Sequence, residues 1–402
     1  MNRLPAPPLD RPAVVEWVES HLGGLFAGSP GASPRFVGGQ AAADAALAGF
    51  DVKGYAAQRN EVLPRGRRGA SALSPYIRHG FLTLPRMWDA VAAGPPRDTA
   101  KFRDELMWQE YARHLYARIG SASRRPLRFT PSGTSFAEPW PQDMACVDES
   151  VAELESDGWL VNQTRMWLAS QWAVRSGADW REGEDWFFTH LLDGSRAANR
   201  LGWQWTAGLL TGKPYGFSRY QVEKRAPEMC GRCKHVESCP IQDWPDAEVQ
   251  AATDVDPRLR SDPEPDSTAG PIGIVTAGTP EAVWVTAESM GDADPALSAH
   301  PELPAVFVFD RDLLARLQLS AKRLVFVAES MADLASRRAV EVWLGDPVDV
   351  LSDRPVAVTH TPVPGWRRRS IRIRPIEVHP WPWLRRPHDG PVSSFSAWRK
   401  RL

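Results

Sequence analysis

Between Gly158 and Gly208 the chain reads GWLVNQTRMWLASQWAVRSGADWREGEDWFFTHLLDGSRAANRLGWQWTAG, and no other segment limits its fold so tightly. Four blocks stand out: GW-x-x-N-x-x-RM, DWR-x-G-x-x-x-F, L-x-D-G-x-x-A-x-N and GWQW. Arg165 and Asp193 sit within this aromatic stretch, and a charge buried among such residues needs a partner.

The 402 residues allow about two or three domains at ~100–200 residues each. Apolar content is ordinary for a globular chain. A formal charge of −1 makes no global demand for a polyanion, so any nucleic-acid surface has to be local. The start, MNRLPAPPLDRP, has no apolar core for a signal peptide. No apolar run is long enough to span a bilayer. The expectation is a soluble, cytoplasmic, monomeric protein without a membrane partner. The 18 tryptophans exceed ordinary use, and core packing is the default reading for each.

Residues 1–12 read as loosely attached, and about 13–228 as mostly helical. KFRDELMWQEYARHLYARIG places Leu106, Met107, Tyr111, Leu115 and Tyr116 at amphipathic spacing. Residues 243–271, rich in Pro, Asp and Ser, read as a linker. Beyond it IGIVTAG, AVWVTAE, AVFVFD, RLVFVAE, AVEVWLGD and PVAVTH are short β-branched runs bounded by turn formers. LSAKRLVFVAESMADLA mixes strand and helix signals. Helices 1–242, then an α/β parallel-sheet, Rossmann-like unit over 272–402, make an α+β multidomain chain.

The four blocks, in this order and at this spacing, resemble the flavin-binding core of the photolyase/cryptochrome family. The resemblance implies FAD, light-driven electron transfer and a DNA substrate. That family begins with an α/β domain and follows it with the helical FAD domain. Here LVFVAESMADL, VEVWLGDPVDVL and GPVSSFSAWRK resemble pieces of the α/β domain, yet they come last. The implied order is a circular permutation, plausible where termini meet at a surface. An unrelated nucleotide-type α/β domain is the alternative. The arginine-rich opening motif of that domain is replaced by VTAESMGD, which leaves an antenna chromophore without its motif.

The segment GYAAQRNEVLPRGRRGASALSPYIRHG resembles the family's phosphate-binding segment. It offers Ser71, Ala72, Leu73 and Ser74, with a helix expected to start at LSPY and face its free N–H groups toward an anion. Tyr55 and Arg59 match an upstream pair near the cofactor. Arg165 and Asp193 match an ion pair beside the flavin ring, and Asn199 the residue facing flavin N5, able to donate or accept. Ser195 stands where the family usually has Asp. Helix capping is the bland reading of Asp193 and Asn199.

The resemblance also implies a pocket for a flipped-out pyrimidine dimer. Glu105 and Trp108, three apart on one helix face, match the Glu that bonds the lesion and the Trp that stacks on it. Trp205 matches the second wall, Asn162 and Met166 two further contacts. Asn with Met is typical of enzymes for cyclobutane dimers; a (6-4) photolyase, the alternative, usually has His here. Gln109 and Gln163 stand where Arg is common. Arg59, Arg65, Arg67, Arg68, Arg124, Arg125 and Arg128 offer charge for phosphates, and Arg367–Arg369 beside Trp366 are a weaker candidate. Trp203 and Trp180 match the inner members of the tryptophan chain that re-reduces the flavin, with Trp140 as a guess for the outer one.

Cys146, Cys230, Cys233 and Cys239, the last followed by Pro240, are the second signal. Thiols so clustered in a reducing compartment suggest metal or redox chemistry. Their pattern resembles the iron–sulfur branch of bacterial cryptochromes and photolyases, which implies a [4Fe–4S] cluster. Structural zinc is the rival, with His235 as a competing ligand. The expected function is a deoxyribodipyrimidine photo-lyase acting on DNA. The alternatives are a cryptochrome-like blue-light or redox sensor without repair, and a flavin and iron–sulfur enzyme on another substrate.

Overall fold

The computed structural model describes residues 1–131, 138–245 and 250–402. Helices dominate up to Arg219–Arg225, and the longest is Pro96–Ile119, of 24 residues. It starts on Pro96, where a missing N–H is harmless. It ends at Gly120, whose φ of 56° lies in the left-handed region. Phe102, Leu106, Tyr111 and Leu115 are buried on it.

The second half is built on a seven-stranded sheet. Its five central strands are parallel, in the spatial order Val340–Gly345, Ala305–Asp310, Ala282–Val285, Val356–Thr359, Glu377–His379. Val275–Thr276 pairs antiparallel at one edge. The opposite edge is closed by Asn2–Leu4, antiparallel to Val340–Gly345 with Arg3 opposite Trp343. The opening residues, expected to hang loose, therefore complete the sheet of the second half. The physical reason is an otherwise bare edge of backbone N–H and C=O groups. RLVFVAE also departs from expectation. It belongs to the helix Ala321–Ala335, where burial on nearly every side, not strand pairing, accounts for the apolar run.

One apolar cluster joins both halves, from Trp17 and Val18 through Leu82 and Phe102 to Phe307, Phe326 and Val342. Gly38 lies so close to the helix Ala321–Ala335 that a Cβ there would sit 2.0 Å from the Phe326 carbonyl oxygen. Polar clamps cross the same seam. Glu329 pairs with Arg11 at 2.8 Å and accepts from the Gly38 N–H at 2.8 Å. Buried Arg323 donates to the carbonyls of Phe188 and Gly194. Of the expected linker, 246–249 lie outside the described residues. Its later part carries the turns Pro257–Leu259 and Pro265–Ala269, with Leu259 buried against the long helix's cluster. The C-terminal segment returns to that helix: Tyr111 Oη donates to Val392 O at 2.9 Å, and Trp398 Nε1 to His114 Nδ1 at 2.8 Å.

Candidate functional site

Asn162–Ser170, Trp180–His190 and Ala198–Thr206 pack together and bring the four sequence blocks into one region. Arg165 grips Asp193 with both terminal nitrogens, at 3.2 and 2.7 Å, and its Nε donates to Leu160 O. Such a fork-to-fork pair fixes both planes. Asn199 Nδ2 donates to the Glu184 carbonyl at 3.1 Å and to the Glu184 carboxylate at 3.2 Å. Two acceptors on the amide nitrogen settle the orientation of the side chain. The remaining Oδ1 can only accept, which narrows the expectation that Asn199 would both donate and accept. Glu184 is fully buried and held by Arg196 at 2.6 Å and Arg200 at 3.2 Å. It is the residue that sequence reading missed; it occupies a variable position of the DWR-x-G-x-x-x-F block. Ser195 Oγ accepts from the Ala198 N–H at 3.1 Å, a local turn bond.

Across the region lies the Ser71–Ser74 segment. Ala72 has a φ of 53°, left-handed without being glycine. Ser71 Oγ accepts from the Leu73 N–H, and Ser74 Oγ accepts from Trp159 Nε1 at 2.9 Å. Leu73 is buried beneath them. The helix at LSPY is the single turn Ser74–Arg78, with Ser74 inside it rather than capping it, so the expected fan of free N–H groups is short. Tyr55 is buried against Phe50 and Phe102, and burial pushes its hydroxyl pKa well up, with help from Glu105. Arg59 Nε reaches Glu105 Oε1 at 3.3 Å, and Lys101 Nζ reaches the same oxygen at 2.8 Å. A surface cavity of about 410 Å³ opens beside them, lined by Ala56, Arg59, Lys101, Asp104 and Arg399 among others.

The expected pocket walls are both half-exposed and both in aromatic company. Trp108 stacks on Phe395, centroids 3.9 Å apart and planes 10° from parallel. Phe395 comes from the C-terminal helix Phe395–Arg399, which Arg399 ties to Asp104 at 2.5 Å. Trp205 packs on Tyr215 at 5.7 Å. Asn162 and Met166 do meet, Nδ2 to Sδ at 3.5 Å. Gln163 is buried and donates to Tyr215 Oη at 3.0 Å, so this position serves the interior. Of the candidate phosphate grips, Arg68 pairs with Glu153 at 2.9 Å and Arg124 with Asp185 at 2.9 Å, while Arg65, Arg67 and Arg125 stay exposed. Arg369 pairs with Asp310, and Arg367 donates to Ser267 O.

Residues 102–228 match the FAD binding domain of DNA photolyase. The chain is 35% identical over 188 residues to a deoxyribodipyrimidine photo-lyase of Thermus thermophilus, covering 41% of this chain and 42% of that one. To the Escherichia coli photo-lyase it is 37% identical over 154 residues, 35% of this chain and 33% of that one. It thus spans less than half the length of the curated relatives it matches. Among solved structures it is similar to a class III photolyase from Agrobacterium tumefaciens (23% identity, TM-score 0.37, 47% of this chain and 42% of that one). A cryptochrome from Synechocystis gives 22% identity and a TM-score of 0.41, over 50% of this chain and 46% of that one. The resemblance to the FAD binding domain of DNA photolyase is supported over residues 102–228. The residues of the helical part fit FAD: an acceptor at Asn199, a fixed guanidinium at Arg165, hydroxyls at Ser71 and Ser74, and the cation Arg59.

Trp203 and Trp180 are both buried. The nearest tryptophan ring to Trp203 is Trp172, edge-on at 6.4 Å. Trp172 in turn lies 5.1 Å from Trp140 and 6.5 Å from Trp186, and these last two are 5.2 Å apart. Trp172, Trp140 and Trp186 are half-exposed, so this network runs from the buried Trp203 toward solvent. Trp172 and Trp186 went unnoticed in the sequence because any one tryptophan reads as core.

All four cysteines are free thiols lining one cavity with Met144, Arg219, Val222 and His235. Burial pushes the Cys146 thiol well up and Cys230 to about 11, with the neighbouring sulfurs adding to both. A bound metal inverts that preference. His235 Nε2 is turned to the Gln142 carbonyl at 3.1 Å. Among the described residues no three of these sulfurs lie within 4.8 Å of one another.

Proposed function

We propose that the protein is a blue-light-dependent DNA photolyase for cyclobutane pyrimidine dimers. The observation that carries this reading is Asn199, its amide nitrogen held by Glu184 and its oxygen left as an acceptor, in the same matched segment as the Arg165–Asp193 fork. FAD, when bound, supplies the photo-excited electron donor. The chain's own part is to hold and tune. Asn199 Oδ1 offers an acceptor suited to a protonated ring nitrogen, which favours the reduced state. Arg165 supplies positive charge beside the ring. Tyr55, Arg59 and Ser71–Ser74 hold the rest of the cofactor. Trp108 and Trp205 wall the cavity for the dimer, Glu105 bonds its bases, and Asn162 with Met166 complete the contacts. Trp203 carries electrons inward, through Trp172 or through Trp180.

The same reading makes 1–242 the FAD and iron–sulfur domain, 243–271 a linker, and 272–402 the antenna-like α/β domain in permuted order. The docking of Val392 and Trp398 on the long helix supports it, because GPVSSFSAWRK resembles the segment that leads toward the FAD domain in the family. Cys146, Cys230, Cys233 and Cys239 hold a [4Fe–4S] cluster that staples the end of the helical domain to its middle. DNA carrying pyrimidine dimers is the partner. No helix among the described residues is long and apolar enough to cross a membrane.

The Trp108–Phe395 stack favours a second reading, a cryptochrome-like sensor whose pocket is closed to DNA. Illuminating the purified protein, with reduced FAD present, on a thymine-dimer oligonucleotide separates the two. Restored thymines support repair. Light-driven flavin reduction without restored thymines selects the sensor.

A further inference from the structure

Far from the flavin region, the edge of the parallel sheet carries a group of side chains that the proposed function does not use. Glu377 and His379 lie two apart on the strand Glu377–His379, opposite Ala357 and Thr359, so both project from one face. The short helix Pro295–Ala299 covers that face, with the Ala296 N–H donating to Thr359 Oγ1 at 3.1 Å. His300 follows directly after it. His379 Nε2 meets Glu377 Oε1 at 2.6 Å, and His300 Nε2 meets the same oxygen. The three ligand atoms all lie within 4.8 Å of one another. The His379 side chain is 2% exposed, Glu377 11% and His300 23%.

We propose that His300, Glu377 and His379 bind one divalent transition-metal ion of the zinc class. Two imidazoles and one carboxylate are a nitrogen–oxygen donor set for such ions and a poor one for magnesium or calcium. Metal–ligand bonds of about 2.0–2.2 Å place neighbouring donors roughly 3.3–3.6 Å apart in a tetrahedral site. The two imidazoles now sit closer to the Glu377 oxygen than that, as hydrogen-bonded pairs, so both draw back to admit an ion, with His300, the most exposed member, the freest to move. A pin between helix and strand needs only one imidazole, whereas two converging on one carboxylate oxygen is what an ion organises. The fourth position faces the open His300 side and takes water. The inference is independent of the flavin reading.

Titration of the full-length, chelator-treated protein with Co²⁺ tests it. One cobalt per chain should give d–d absorption without thiolate-to-cobalt charge transfer, which separates it from cobalt held by the four cysteines. His379→Ala should abolish this signal. Glu377→Gln, which keeps an acceptor for both imidazoles and so spares the fold, should weaken binding about tenfold or more. The thiolate-linked signal should be unchanged in both variants. A wild-type protein with no thiolate-free cobalt signal, or a signal that survives either substitution intact, overturns the assignment.

Discussion

The groups proposed to face the flavin and those proposed to wall the pocket are held in different ways. Arg165, Asp193 and Asn199 are fixed by buried charge: Asp193 by the guanidinium fork, Asn199 by Glu184, and Glu184 by two further arginines. Trp108 and Trp205 are half-exposed and lean on other aromatic rings of the chain, one of them supplied by the C-terminal helix. The cofactor side is pre-set and costs no rearrangement to use. The substrate side is covered by contacts that a ligand has to displace or share.

The largest expected effect comes from the fixed side. Glu184→Ala takes the buried carboxylate from Arg200, leaves Arg196 with Asp185 alone and leaves Asn199 only the backbone carbonyl of residue 184. Breaking such a pair from one side costs about 3–5 kcal/mol, which chemical denaturation should register together with loss of bound FAD. An unfolding midpoint within error of wild type would break the claim that buried charge fixes this side.

Acid tests both sides together. Burial holds His79 and His114 at about 3, against an unfolded value near 6.5. Both are neutral in the fold, so unfolding takes up protons below pH ~6.5. Their contribution to stability is complete above that pH and is lost as pH falls toward 3. His79 lies between the carbonyls of Leu192, next to Asp193, and Ala287 across the seam. Nδ1 of His114 is the acceptor for Trp398, so protonation releases the segment that carries Phe395. Thermal melts should be level from pH 7.5 to about 6.5 and fall from there to pH 4, less steeply in His114→Gln. A flat profile contradicts it.

The covered wall yields a smaller effect with a distinctive sign. Trp108→Ala should weaken dimer–DNA binding by about 1–3 kcal/mol, the worth of one base–aromatic stack. Phe395→Ala should instead strengthen it by uncovering the ring, measured by fluorescence anisotropy. Equal weakening by both variants would make Phe395 part of the wall rather than its cover. The smallest effect concerns the electron route: Trp172→Phe should slow flavin photoreduction at least as much as Trp180→Phe, since Trp172 is the ring nearest Trp203 among the tryptophans. An unaffected rate in Trp172→Phe removes that branch.

What the sequence made legible were charge-bearing and aromatic residues at fixed local spacing. Arg165 with Asp193, Asn162 with Met166 and the four cysteines are each brought together in the structure. Partners from distant or unremarkable positions stayed hidden. Glu184 looks like any helix glutamate until its two arginines surround it. Phe395 reaches Trp108 from far along the chain, and the three residues Asn2–Leu4 carry too short a pattern to announce a strand. The VFV run of Ala321–Ala335 misled because a helix buried nearly all round has no polar stripe to reveal its period. The His300–Glu377–His379 group combines an i, i+2 pair with a residue from another element, a pattern that local spacing does not display.

The central claim is that the helical part holds FAD against the Asn199–Arg165 face. The most direct test is the flavin released by denaturing the purified full-length protein, compared with the Asp193→Ala variant. The wild-type chain should release about one FAD, and the variant little. A wild-type protein that folds cooperatively yet neither carries flavin nor takes it up from solution would contradict it.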